Sequence, residues 1–217
     1  MKHYPYIIFD LDGTLTDSGP GVMNAVTYAL ERFGVEVPDK TALRAFVGPP
    51  LRESFRRFGG LSPEKADEAI LVFREYYEPT GIFENSVYPG MEAALSRLKA
   101  AGRTLAVATS KLDVTSYRVL DHFGLSPYFD VVAGSRADGT LSEKAEVLEY
   151  ALTRLGIGAA DALMVGDRKY DVEGAAKNGV ECMGVLYGYG SEEELLSAGA
   201  ICLAETPADI ARLILAS

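Results

Sequence analysis

From about residue 90 onward, short apolar runs alternate with stretches of helical periodicity, and this alternation limits the possible folds more than any other feature. Residues 104–109, 129–133, 162–165 and 181–185 read as buried strands. Between them lie helical patterns. Val114, Tyr117 and Leu120, with Phe123 on the flank, form an apolar face behind Asp113 as N-cap. Ala145, Leu148, Ala151, Leu152 and Leu155 form the second, and residues 170–178, closed by Gly179, form the third. A further helix, a short strand near 200–203 and a last helix from Pro207 are expected beyond them. Parallel strands need long crossovers, and a helix is the usual one. The pattern therefore predicts an α/β fold, a parallel sheet with helices on both faces.

The same kind of strand opens the chain. Tyr6, Ile7, Ile8 and Phe9 are apolar, and Asp10, Leu11, Asp12 and Gly13 follow directly. Two carboxylates this close repel when buried. A divalent cation resolves the repulsion, and Mg²⁺ suits a few carboxylates, its own waters and a phosphate. A bare Asp-x-Asp can also be a strand ending in a solvated turn. Residues 16–86 interrupt the alternation. Val22, Val26, Leu30 and Phe33 recur at helical spacing, as do Leu51, Phe55 and Phe58. Ala66, Ile70, Phe73 and Tyr77 do so again behind Ser62-Pro63, an N-cap with proline in the first turn. With no convincing strand there, the segment reads as a small helical cap, 16–86, inserted into a core formed by 1–15 and 87–217.

In open parallel sheets, ligands bind outside the carboxyl ends of the strands. Four groups fall at such ends: Asp10 and Asp12; Thr109 and Ser110; Lys144 at the start of a helix; and Asp167 and Asp171 in Gly166-Asp167-Arg168-Lys169-Tyr170-Asp171. Each has a plain alternative when taken alone. Thr109-Ser110 can be a strand-to-loop transition, Asp167 and Asp171 can favour a helix start, and Lys144 can be a solvated surface residue. Lys144 sits at the end of a helix where the dipole disfavours a cation, and a bound anion explains it better. Together the groups supply acids for a metal, donors for anionic oxygens and one cation, the inventory of phosphoryl transfer.

These four motifs resemble those of the haloacid dehalogenase superfamily, over nearly the whole chain. Three segments look most like its phosphoglycolate phosphatase branch: Asp12-Gly13-Thr14-Leu15-Thr16-Asp17-Ser18, Ser135-Arg136-Ala137-Asp138-Gly139, and the run from Gly184 to Gly190. The resemblance implies a Rossmann-like core and hydrolysis of a small phosphorylated metabolite with Mg²⁺ as cofactor. It implies Asp10 as nucleophile, through an aspartyl-phosphate, and Asp12 as general acid and base, steered by Thr14. It implies Mg²⁺ held by Asp10, the Asp12 carbonyl and Asp167, with Asp171 acting through a metal-bound water. Thr109, Ser110 and Lys144 would bind phosphate. In the cap, Gly48-Pro49-Pro50-Leu51-Arg52 forms a rigid turn that can aim Arg52 at a substrate carboxylate or phosphate, although Arg52 can equally be a solvated helix-start residue.

Similar enzymes act as 5′-nucleotidases or broad-range sugar phosphatases, and a phosphomutase uses the same four motifs. A non-enzymatic receiver-type phosphoacceptor domain shares the acid cluster, Thr/Ser and Lys. Its phosphorylated Asp ends the third strand, whereas the acid pair here ends the first, and a receiver has no place for an inserted cap. The net charge of −10 argues against nucleic acid or an anionic membrane as partner. No signal peptide and no stretch of roughly 18 apolar residues is seen. Cys182 and Cys202 lack metal-ligand spacing and read as buried free thiols, consistent with the cytoplasm. His122 reads as structural. The expected assembly is a monomer or homodimer.

Overall fold

The computed structural model of the protein describes residues 2–37 and 39–216. The chain divides into two compact units, Met1–Thr16 with Val87–Ser217, and Asp17–Ser86. It leaves the first unit through β2 (Thr16–Asp17) and returns through β3 (Ser86–Val87), which follow β1 (Tyr6–Phe9) and form a two-stranded sheet. The sequence reading missed β2 and β3 because two residues carry no periodicity.

The larger unit holds a six-stranded sheet. Its other strands are β4 (Thr104–Leu112), β5 (Val131–Ser135), β6 (Ala162–Gly166), β7 (Glu181–Val185) and β8 (Cys202–Ala204). The order is β5-β4-β1-β6-β7-β8, and every pairing is parallel. Ile7, Ile8 and Phe9 are fully buried, as a central strand covered on both faces requires. Since β1 lies between β4 and β6, the order in which strands are added reverses beside it, and in open parallel sheets such a switch point is where ligands bind.

The smaller unit contains α1 (Gly19–Arg32), α2 (Lys40–Leu43), α3 (Leu51–Arg57) and α4 (Pro63–Tyr77). Its core includes Val22, Val26, Leu30, Phe46, Phe55, Phe73 and Tyr77. Ser62 caps α4 by accepting from the Lys65 N–H, with proline in the first turn. Phe58, expected on the apolar face, is exposed. The remaining helices are α5 (Met91–Ala100), α6 (Asp113–His122), α7 (Lys144–Leu155), α8 (Lys169–Lys177), α9 (Glu192–Ala198) and α10 (Pro207–Leu215). No helix among the described residues is long and apolar enough to cross a membrane.

Several local expectations need correction. The strand starting near 129 begins at Val131. Asp113 is the first residue of α6, and Leu112 takes the cap position. The α6 face is rotated from the expected one: Val114 and Tyr117 are 69% and 45% exposed, while Thr115, Ser116, Val119 and Leu120 are buried. Ser116 can face inward because its hydroxyl donates to the Leu112 carbonyl at 2.9 Å. His122 is exposed in the last turn, edge-on to Phe123. Both cysteines are free, but only Cys182 is buried, and Cys202 is half-buried.

Candidate active site

The strand ends bring five of the expected residues into buried positions: Asp10, Thr109, Lys144, Asp167 and Asp171. Asp10 continues β1 by one residue, its N–H donating to the Val165 carbonyl on β6 at 2.9 Å. Its Oδ1 accepts from the Leu11 N–H at 2.7 Å and lies 2.7 Å from Lys144 Nζ.

Lys144 is the first residue of α7 and only 7% exposed, which excludes the solvated-surface reading. Its ammonium lies 2.9 Å from Asp171 Oδ1 and donates to the Ala108 carbonyl at 3.0 Å. With Asp10 this gives three contacts for three donors. Burial opposes the charge, but Asp10 and Asp171 override it and hold the ammonium above its ordinary pKa. The stem passes close to Gly174 of α8, where an added Cβ would lie 2.8 Å from Lys144 Cγ. The Glu143–Glu146 capping box supplies acid at the same helix start, offsetting the dipole that disfavours a cation there.

Asp10, Asp167 and Asp171 each offer an oxygen within 4.8 Å of the others, all three buried. Burial raises the Asp10 carboxyl to about 7 despite the pull of Lys144. Burial, then Asp171 and Asp10, push Asp167 well above the usual carboxylate range. One ammonium against three buried carboxylates leaves negative charge uncompensated, and oxygen donors of this kind suit a hard divalent cation.

Glycines and one loop set the positions of these acids. Gly13 has φ +81°, and a Cβ there would lie 2.2 Å from Asp167 Oδ2. In the Tyr187–Gly190 stretch, a Cβ on Gly188 would lie 2.4 Å from Asp167 Cβ, and one on Gly190 would lie 2.1 Å from the Asp167 carbonyl oxygen. The Tyr189 N–H donates to Asp167 Oδ2 at 2.8 Å, and the Tyr187 hydroxyl donates to the Thr14 carbonyl at 2.9 Å. Asp171 is held by the Arg168 N–H at 3.1 Å.

Asp12 stands apart from the acid cluster. Its Oδ2 lies 2.8 Å from Lys111 Nζ. The Thr14 hydroxyl, expected to steer Asp12, instead reaches Asp167 Oδ1 at 3.4 Å. The reason is the left-handed turn at Gly13, after which Thr14 lies beside the metal-type acids. Thr109 Oγ1 accepts from the Lys111 N–H at 3.2 Å, and the Ser110 carbonyl accepts from Ser135 Oγ at 2.9 Å. In the smaller unit, Gly48 has φ +102°, a conformation suited to glycine. Arg52 is exposed in the first turn of α3 and forms a fork on Asp67, with Nε–Oδ1 2.7 Å and Nη2–Oδ2 2.8 Å. Sequence reasoning missed Lys111 and the wrapping of Asp167 by the Tyr187–Gly190 loop. A cation directly after Thr109-Ser110 and two closely spaced glycines were the available signals.

A family model for haloacid dehalogenase-like hydrolases matches residues 7–185. The chain is 44% identical over 192 residues to a 5′-nucleotidase of Pseudomonas aeruginosa, covering 88% of this chain and 87% of that protein. It is 43% identical over 184 residues to the tyrosine-protein kinase PtkA of Mycobacterium tuberculosis, covering 85% of this chain and 62% of the kinase. With a phosphoglycolate phosphatase of Vibrio cholerae it shares 32% identity over 206 residues, 91% of either chain. A crystal structure of a predicted phosphatase from Clostridium acetobutylicum superposes with a TM-score of 0.96 at 47% identity, covering 100% of both chains. Taken with the strand-end constellation, these likenesses show that the chain belongs to the haloacid dehalogenase-like hydrolase family and is one of its phosphatases.

Proposed function

We propose that the protein is a Mg²⁺-dependent phosphatase of small phosphate monoesters that works through an aspartyl-phosphate. The observation that carries this is the buried Asp10, Asp167 and Asp171 cluster with Lys144 as its ammonium. Asp10, Asp167 and the Asp12 carbonyl would hold the metal, with Asp171 behind a water, and the ion would supply charge neutralisation between carboxylate and phosphate. Leu11 N–H and Lys144 both fall on Asp10 Oδ1, leaving Oδ2 as the attacking oxygen. Asp12 gives its proton to the leaving alkoxide, then takes one from the water that hydrolyses the intermediate. The Thr109 hydroxyl and the Ser110 N–H bind the phosphoryl oxygens, and Lys144 joins them by exchanging one of its three contacts for phosphate. The helical unit, entered and left through β2 and β3, serves as a cap that selects the leaving group.

Two leaving groups compete. A nucleoside is favoured by the 44% identity to a 5′-nucleotidase, and glycolate by the 32% identity to a phosphoglycolate phosphatase. The test is a panel of monoesters: nucleoside 5′-monophosphates, 2-phosphoglycolate and sugar phosphates, each with Mg²⁺ and with EDTA. Phosphate release that needs Mg²⁺ is expected. Full release in EDTA, isomerisation of a hexose 1-phosphate, or transfer from ATP to tyrosine would each overturn the proposal.

For glycolate, Arg52 is the cap cation that would receive the carboxylate, exchanging Asp67 for the substrate. Arg52→Ala is then expected to raise KM for 2-phosphoglycolate about tenfold to a hundredfold and leave 4-nitrophenyl phosphate unchanged. Equal effects on the two substrates would end this role.

The metal is tested without turnover. Folding raises the Asp10 pKa to about 7, so the metal-free fold is favoured with Asp10 protonated. Its stability should fall as the pH rises from about 4 through about 7. A bound cation favours the ionised form. The rise in melting temperature on adding Mg²⁺ should therefore be larger at pH 8 than at pH 5. Equal rises at the two pH values would refute the assignment.

A further inference from the structure

Strand β4 departs from its ladder next to the site. It runs beside β5 in regular parallel register from Ala106↔Val131 to Thr109↔Gly134, and the next pair is Leu112↔Ser135. Three steps on β4 match one on β5, so the irregularity contains Ser110 and Lys111. Such bulges re-aim side chains. This one is held on both sides. Lys111 N–H donates to Thr109 Oγ1, and Ser135 Oγ donates to the Ser110 carbonyl. Gly134 leaves room for the displaced chain, since a Cβ there would lie 2.6 Å from Asp113 Cα and 2.7 Å from the Lys111 carbonyl oxygen.

The bulge places Lys111 Nζ 2.8 Å from Asp12 Oδ2, with side chains 7% and 16% exposed. The other oxygen, Asp12 Oδ1, is buried and has no hydrogen-bond partner among the described residues. A shielded ion pair of this kind contributes little net stability, because desolvation offsets the attraction. What it does provide is a fixed orientation for the carboxyl group.

We infer that Lys111 is a positioning residue for Asp12: it holds Oδ2 so that Oδ1 faces the leaving-group oxygen. The inference rests on the proposed function of Asp12. As the bond from phosphorus to the leaving oxygen breaks and that from Asp10 to phosphorus forms, the proton on Asp12 Oδ1 passes to the leaving oxygen. Water then bonds to phosphorus, the Asp10–phosphorus bond breaks, and the water's proton returns to Asp12. Lys111 donates to Oδ2 in both states of the carboxyl group, as an ion pair when Asp12 is ionised and as a hydrogen bond when Oδ1 carries the proton, and it keeps its own protons throughout.

The test compares kcat/KM for an alkyl phosphate, whose leaving group needs the proton, with that for 4-nitrophenyl phosphate, whose leaving group needs it little. Lys111→Met should lower the first about tenfold or more and the second less than about threefold, a fraction of the roughly 10² to 10⁴ that general acid–base groups contribute. The inhibition constant of inorganic phosphate should stay unchanged, and Lys111→Arg should restore most of the loss. An equal fall for both esters, a weaker inhibition by phosphate, or no change at all would overturn the inference. Asp12→Asn is the control. If it shows the leaving-group dependence and Lys111→Met does not, only the positioning role fails. If Asp12→Asn shows none, the general-acid assignment fails and this inference with it.

Discussion

Asp10→Asn is expected to abolish phosphate release while leaving the fold intact. The amide matches the carboxylate in size and can still accept from the Leu11 N–H, but it is no nucleophile toward phosphorus. Loss of at least about 10⁴ in kcat is expected, in line with removal of other enzymic nucleophiles. The thermal prediction runs the other way. Asp10 is one of three buried carboxylates around one ammonium, and its ionised form is disfavoured by burial. Neutralising it relieves like-charge repulsion, and Lys144 keeps Asp171 and the Ala108 carbonyl as partners. In EDTA the variant should therefore melt no lower than the parent. Phosphate release within about tenfold of the parent would exclude Asp10 as nucleophile, whatever the melting curve shows.

Lys144→Met should lose both activity and stability. The substitution keeps a flexible apolar stem but deletes the cation that serves Asp10 and Asp171. Removing one partner of a buried ion pair costs about 3–5 kcal/mol, here with two carboxylates left behind. For a chain of this size that corresponds to a fall in melting temperature on the order of 10 °C. Mg²⁺ should recover part of the stability, because it supplies positive charge to the same acids. It should not recover turnover, because the phosphoryl oxygens still lack the ammonium. Lys144→Arg should fail as well. The stem runs where an added Cβ on Gly174 would lie only 2.8 Å away, and the broad guanidinium does not fit a place built for a point charge. A Lys144→Met protein with unchanged melting and kinetics would remove the residue from the mechanism.

The fold was legible in the sequence where burial is two-sided. The Ile7 to Phe9 run and residues 182–185 carry no charge because both faces of those strands are covered, and no alternation is needed to recognise them. Helix α6 was legible as a helix but not in its rotation. Polar Thr115 and Ser116 turn inward because a backbone carbonyl satisfies Ser116, a local hydrogen bond that hydropathy does not encode. The two-residue strands β2 and β3 lie below the length at which any period exists. The acid cluster was legible because Asp10 and Asp167 directly follow apolar strands, and Asp171 lies in the first turn of the helix after Asp167. Lys111 was not, because its place depends on a bulge, and the bulge depends on Gly134, more than twenty positions away in the chain. The partner of Thr14 was misread for a related reason: a left-handed glycine sends the next side chain toward a residue 153 positions away.

The loop around Asp167 also bears on how the molecule comes into being. Synthesis delivers Asp10 first, Lys144 much later, and Asp167 and Asp171 later still. The amide of Tyr189 and the bare backbone of Gly188 and Gly190, which close around Asp167, emerge after all of them. A chain that ends before this loop carries Asp10, Asp167 and Asp171 yet lacks the enclosure that orients Asp167. The enclosure of Asp167 is therefore the last part of this centre to be synthesised, and a chain stopped short of it lacks the Tyr189 N–H that orients the acid.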